Sequence, residues 1–256
     1  MIRRGLLLAL EIAVPVLLLT GYAVWAARAE SFYFPPLGEI RARFAELWLF
    51  ARVPEDLLPS LRRLAIGYLL CVLAGVGAGL LLGVSRIVQQ AVHPFAEFLR
   101  ALPAVALIPF GLLVFGRGDT MKVFIILIGA VWPILLNTID GVRGVDQGML
   151  EMARAYRVGR WARIRRIVVP AMLPRVVAGM RTSLSIAIIL MVVSEMVASS
   201  DGVGYFVLES QRRFAIADMW TGIVLLGIIG YLANVLFVQA ERRLLRWHRE
   251  SKGLAR

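Results

Sequence analysis

One cysteine and two histidines are the whole supply of thiol and imidazole side chains in this sequence. Cys71 stands alone inside an apolar run, so no intrachain disulfide can form, and its expected role is packing. His93 and His248 are isolated, with no Cys, Asp or Glu at ligand spacing, so neither predicts a metal site. Nothing resembles a catalytic triad, clustered His, Asp or Cys of a membrane enzyme are missing, and no Gly-x-x-x-x-Gly-Lys run offers a phosphate loop. The chain is therefore expected to be non-catalytic and to carry no cofactor of its own. The period-two alternation of a membrane barrel is absent as well. No direct repeat, low-complexity tract or long linker divides the chain, and 1–256 reads as one domain.

What fills the sequence is apolar. Of its 256 residues 59% are hydrophobic, with a mean hydropathy of +0.76, well above the roughly 45–50% of a soluble domain. Six runs near the length of a bilayer crossing stand out, at 6–27, 64–84, 101–115, 121–139, 177–198 and 219–240. The expected class is an all-α polytopic membrane protein of about six spans. The first run begins like a signal peptide, but it continues to residue 27 without a clean cleavage site and reads as a retained span. The third is short and holds Pro103 and Pro109, so a kinked or broken helix is expected there. Gly67, Gly75, Gly77, Gly79 and Gly83 in the second run predict a helix packed closely against protein.

A net charge of +12 could also describe a nucleic-acid binder, and the position of the charges decides between the two. With a cytoplasmic amino terminus, the inner segments carry 18 Lys and Arg against 10 outside. Basic residues accumulate on the cytoplasmic side of membrane proteins, so both termini are expected inside and no nucleic-acid partner is needed. Between 35 and 59, Ile40, Phe44, Leu47 and Trp48 recur at helical spacing among charges, predicting a short amphipathic helix at the outer surface.

The longest inner loop, 140–178, is too patterned for a simple connection. Met149, Met152, Ala153 and Tyr156 give a short helix one apolar face, with Glu151 and Arg154 beside it, a surface suited to docking a soluble partner. Arg160 to Arg166 form a basic second half, and Pro170 and Pro174 are expected to break the helix before the next span.

This loop resembles the EAA loop of binding-protein-dependent ABC importer permeases. Glu151, Met152 and Ala153 occupy its first triplet, and Pro170, Pro174 and Gly179 stand where that family has its later prolines and glycine. Ser60-Leu61-Arg62-Arg63 with Gly67, His93-Pro94, Arg100-Ala101-Leu102-Pro103, Asn137-Thr138, Glu195 and Gly202-Val203-Gly204-Tyr205 are similar to the sulfonate, taurine and nitrate branch. Two departures appear: Met152 replaces an alanine, and Arg157 stands at the usual glycine. Since a left-handed turn suits glycine and not arginine, the turn is expected to move to Gly159.

The resemblance implies a type I ABC importer permease fold in the bacterial inner membrane. Its coupling helix would sit on one of two cytoplasmic ATPase subunits that hold ATP and magnesium. A second permease copy, forming a homodimer, and an extracytoplasmic solute-binding protein complete the implied set. Glu151, Met152, Ala153, Tyr156, Arg157, Gly159, Pro170 and Pro174 would carry the coupling. The implied solute is a sulfonate, taurine or nitrate-like anion, with thiamine-precursor pyrimidines and other small metabolites as alternatives. A secondary transporter would show broken-helix or ionisable pairs in matching halves, and none is seen.

Some residues keep two readings. Glu151 is either an interface charge or a solvated helix residue. Glu195, in the outer half of the fifth run, either lines a translocation path or pairs structurally with an arginine such as Arg117 or Arg212. Gly202 and Gly204 form either a gate or a tight connection, and Pro103 and Pro109 serve either the path or packing. Glu11 and Arg181 lie close enough to span ends to snorkel.

Overall fold

The computed structural model describes the backbone of residues 2–29 and 31–247, and the side chains of 13–29, 31–49, 51–85 and 87–247. Glu11 and His248 therefore lie outside the described side chains. Among the described residues there are helices and short connections and no strand. In order these are α1 (Ile2–Ala29), α2 (Leu37–Glu46), α3 (Leu58–Val84), α4 (Arg86–Ala101), α5 (Ile108–Phe115), α6 (Asp119–Arg143), α7 (Gln147–Ala155), α8 (Arg160–Arg163), α9 (Val169–Ala198), α10 (Val203–Arg212) and α11 (Ile216–Leu244).

Four helical stretches among the described residues are long and apolar enough to cross a membrane: Val53–Val84, Asp119–Arg143, Arg160–Ala198 and Ile216–Leu244. They contain the second, fourth, fifth and sixth predicted runs. The third run is not a separate straight span. It forms the second limb of a bent pair, Ile87–Ala101 and Ala104–Phe115, whose axes turn through 86°. The cause is local, because Leu102 must take an extended backbone (φ −72°, ψ 124°) ahead of Pro103. A turn of 3₁₀ helix, Ala104–Leu107, then restarts the chain toward α5. Of the first run, the apolar helix among the described side chains is Ala13–Ala29, shorter than the other spans.

The prolines expected to end a helix before the fifth span do not. Arg160–Ala198 is one continuous helical stretch of 39 residues. A wider π turn, Ile164–Val168, leads directly into α9, and Pro170 stands just after it, at the junction where the regular hydrogen-bond ladder is already interrupted. Pro174 is carried inside α9.

Helices α3, α6 and α9 form the core, around Leu64, Cys71, Met121, Ile125, Ile126, Ala130, Ile134, Ala187 and Met191. Gly67, Gly75, Gly79 and Gly83 meet Ile126, Ile134, Thr138 and Val142, advancing in step, so α3 and α6 run parallel. A Cβ on Gly79 would sit 2.5 Å from that of Thr138, so only glycine allows this approach. Gly77, by contrast, has nothing within 4 Å. Helix α9 runs the other way along α6, with Gly141 against Met172 and Gly179 against Pro133.

The predicted amphipathic helix exists as α2 and the π turn after it, but its apolar face is covered by protein. Trp48 packs with Val203, Phe206, Leu225 and Ile229, and its indole N–H donates to Thr221 Oγ1 at 2.9 Å. Arg43 donates to both oxygens of Asp218, at 2.7 and 2.9 Å. Together these contacts tie α2 to the start of α11.

Candidate functional site

The two sets of candidate residues lie at opposite ends of the core helices. At one end, between α6 and the long stretch beginning at Arg160, α7 stands as a separate short helix. Asp146 caps it by accepting from the Met149 N–H at 2.9 Å, which satisfies one of the donors left free by the first turn. Ala153 is buried beneath it, while Met149, Met152 (59% exposed) and Tyr156 (83% exposed) project outward. Large apolar side chains are thus bare on a polar loop, the kind of patch found at interaction surfaces. Glu151 is exposed beside them and is in no ion pair among the described residues.

The turn closing α7 is not displaced to Gly159. Arg157 itself adopts the left-handed conformation, with φ 54°, while Gly159 has φ −57° and caps α8. The reason lies in the hydrogen bonds. The Arg157 N–H donates to the Arg154 carbonyl and the Val158 N–H to the Ala153 carbonyl, both at 2.9 Å, the pair that defines a Schellman ending. That pattern dictates a left-handed residue immediately after the cap, whatever its side chain. Phe214 (φ 57°) ends α10 in the same way, through Phe214 to Gln211 and Ala215 to Ser210. Of the remaining coupling residues, Pro170 and Pro174 lie apart from α7, within the following helix.

At the far end, α3, α6, α9 and the turn into α10 converge on Arg63, which is 2% exposed. Its guanidinium donates to Asp119 Oδ1 at 2.6 Å, Glu195 Oε1 at 2.9 Å, and both Asp201 carboxylate oxygens at 2.8 and 2.7 Å. Arg62 reaches the other oxygen of Asp119. Glu195, fully buried, also accepts from Ser60 Oγ at 2.8 Å and from the Gly204 N–H at 3.0 Å. The arginine that Glu195 meets is thus Arg63, not Arg117 or Arg212.

The glycine turn is fastened to the same network. Gly202 N–H donates to Asp56 Oδ1 and Val203 N–H to Ser60 Oγ, each at 2.9 Å. Gly202 has φ 107°, and a Cβ there would sit 2.5 Å from Glu195 Cδ. Three backbone donors, the N–H groups of Gly202, Val203 and Gly204, therefore hold the turn. Arg52 pairs with Asp56 at 3.4 Å, and buried Lys122 donates to the Arg117 carbonyl at 3.0 Å. Arg52, Arg62, Arg63 and Lys122 thus stand among Asp56, Asp119, Glu195 and Asp201, with Glu55 a further 3.6 Å partner of Arg52 on the exposed side. Pro103 and Pro109, elsewhere, are exposed at the bend and at the start of α5.

Sequence reasoning singled out Glu195, Gly202 and Gly204 but gave no role to Arg63, Asp119, Asp201, Asp56 or Lys122. One signal was available: all of these charges flank the same predicted end of their spans.

Compared with known proteins, residues 72–247 match the family model described as binding-protein-dependent transport system inner membrane component. A Bacillus subtilis (strain 168) protein named for aliphatic sulfonates transport, SsuC, is 33% identical over 210 residues, covering 82% of this chain and 76% of its own. The nitrate import permease protein NrtB of Leptolyngbya laminosa is 31% identical, over 69% of this chain and 63% of its own. The bicarbonate transport system permease protein CmpB of Synechococcus elongatus is 30% identical, over 73% and 68%. Among solved structures, a chain of the inward-facing MetNI methionine ABC transporter superposes with a TM-score of 0.64 at 21% identity, over 78% of this chain and 97% of its own. That last likeness is one of fold alone.

Proposed function

The chain belongs to the family of binding-protein-dependent transport system inner membrane components, and from that membership we propose that it is the membrane-spanning subunit of an ATP-driven importer for a small anion. The observation that carries this reading is the free apolar face of α7. A capped helix of nine residues presents Met149, Met152 and Tyr156 away from the bundle, between two long spans, as a docking element for a separate ATPase would. Glu151 beside them supplies a charge that helps fix the register of docking. The chain's own residues thus bind and transmit, while ATP and magnesium are held by the partner.

In this reading the α7 end faces the cytoplasm, where the basic residues concentrate, and both termini lie there. Two permease copies, two ATPases and an external solute-binding protein form the assembly. An anionic solute is favoured because the relatives described above are named for sulfonate, nitrate and bicarbonate. Passage would follow the bent pair at Pro103 and Pro109, where the helix is already broken. The Arg63 and Glu195 cluster, with Gly202 and Gly204, would close the outer end.

The test is ATP hydrolysis by the reconstituted permease and ATPase, titrated with binding protein loaded with taurine, an alkanesulfonate, nitrate or a pyrimidine. Stimulation by one loaded anion is the expected result. Failure of the permease to form a complex with any ATPase overturns the reading, and stimulation by a loaded pyrimidine overturns the anion assignment.

A further inference from the structure

Behind α7, on the side away from Met152 and Tyr156, lies a cleft of about 530 Å³. Arg143 at the end of α6, Arg154 on α7, and Arg160 and Arg163 on α8 all line it, and no acidic side chain does. None of these four guanidinium groups is in an ion pair or side-chain hydrogen bond among the described residues. The contrast with the far end is direct: there Arg63 is answered by three carboxylates, whereas here four like charges converge without a counter-ion. Arg143, Arg154 and Arg160 are exposed and Arg163 is half-buried, so the four together create a local positive potential that attracts an anion, and guanidinium forks suit the paired oxygens of a phosphate group.

Position narrows the source of that anion. Gly83 and Val84, the last residues of α3, and Val142, near the end of α6, form one wall, and Ile164 and Val168 form another. The cleft thus sits at the ends of two of the long apolar helices, α3 and α6, and beside the start of the stretch that leads into α9, with apolar walls next to its charges; if these helices cross the membrane, that places it on the headgroup side of the bilayer. Basic pockets between spans at this level are suited to acidic lipid headgroups. A free oxyanion would satisfy the arginines but not the apolar walls.

We propose that this cleft holds the phosphate headgroup of an anionic phospholipid, wedged between α7 and the ends of α3, α6 and α9. The inference stands without the reading of α7 as a docking helix, since it uses only the opposite face of α7. A lipid seated there would brace α7 from behind.

The experiment is native mass spectrometry of the purified full chain in neutral detergent, titrated with phosphatidylglycerol or with phosphatidylcholine of the same acyl chains. Phosphatidylglycerol should bind more tightly, and Arg143→Gln with Arg163→Gln should weaken it about tenfold or more. The lysine pair, Arg143→Lys with Arg163→Lys, keeps the charge and loses the fork, so it should bind more tightly than the glutamine pair and more weakly than the natural chain, which separates loss of charge from loss of fold. Arg242→Gln with Arg243→Gln, equally basic but on α11, should leave binding unchanged. Equal weakening by that control pair would overturn the proposal. So would displacement of the lipid by millimolar inorganic phosphate, which would make the cleft a free-oxyanion site.

Discussion

Arg63 and Glu195, 132 positions apart in the chain, meet at 2.9 Å with both side chains withdrawn from solvent. The contact joins α3 to α9, and Asp119 and Asp201 extend it to α6 and the turn into α10. A buried charge that loses its partner is destabilising, whereas replacing a whole pair by apolar groups of similar volume is often neutral.

Glu195→Ala should therefore lower unfolding stability by about 3 kcal/mol, because Arg63 keeps its burial and loses an acceptor. Arg63→Met combined with Glu195→Ala should cost clearly less than the two single changes added together. Thermal or denaturant unfolding in detergent measures this, and simple additivity would mean that the two residues do not act as a pair.

Gly202→Ala should destabilise by about 2 kcal/mol, since alanine at φ 107° is strained and its methyl group meets the Glu195 carboxyl. Gly77→Ala, with open space around it, should be neutral or stabilise by about 0.5 kcal/mol by restricting the unfolded chain. Comparing the two melting temperatures separates a conformational requirement from a general intolerance of larger residues.

Arg157→Gly should stabilise the end of α7 by about 1 kcal/mol, the cost of holding a residue with a side chain in the left-handed region. Gly159→Ala should change little, because its φ of −57° suits any residue. Hydrogen exchange at the Val158 amide, which closes the turn, gives the local readout: slower exchange in Arg157→Gly is expected.

Tyr156→Ala and Met152→Asp should each weaken capture of the ATPase subunit by about tenfold or more while leaving the melting temperature of the isolated chain unchanged, since both side chains are exposed. Glu151→Lys should slow ATP-driven uptake with normal membrane insertion. Undiminished uptake in Glu151→Lys would remove that residue from the coupling surface.

How far the sequence reaches depends on whether the controlling interaction is local. Spans at 64–84, 121–139, 177–198 and 219–240 are legible because length and hydropathy are properties of the run itself. Their true ends are not, since π turns such as Ile164–Val168 carry helix through arginines and past Pro170. Pro103 announces a break, which falls at the extended Leu102 before it, but residue preference alone does not give the 86° angle. The partner of Glu195 escaped because several outer arginines suit it equally by sequence, and only the packing of α3 against α9 selects Arg63. At Arg157, residue preference pointed to Gly159, yet the hydrogen-bond pattern of the helix ending prevailed. The helix of α7 was legible from its spacing, but Ala153, read as one face with Met149, Met152 and Tyr156, is buried while those three are exposed, because which flank of a short helix meets the bundle is not a property of the run.

The glycine row on α3 has one interruption. Every fourth position from 67 to 83 is glycine except Cys71, and in step with it the opposing row on α6 is β-branched at Ile126, Ile134, Thr138 and Val142 but has Ala130. The one wider tooth falls opposite the one wider notch. A slip of α3 by a single turn would drive Cys71 into an isoleucine and leave Ala130 facing a glycine, creating overlap and a void together. The two rows thus work as a lock and its key, admitting only one alignment of two helices that would otherwise repeat every turn.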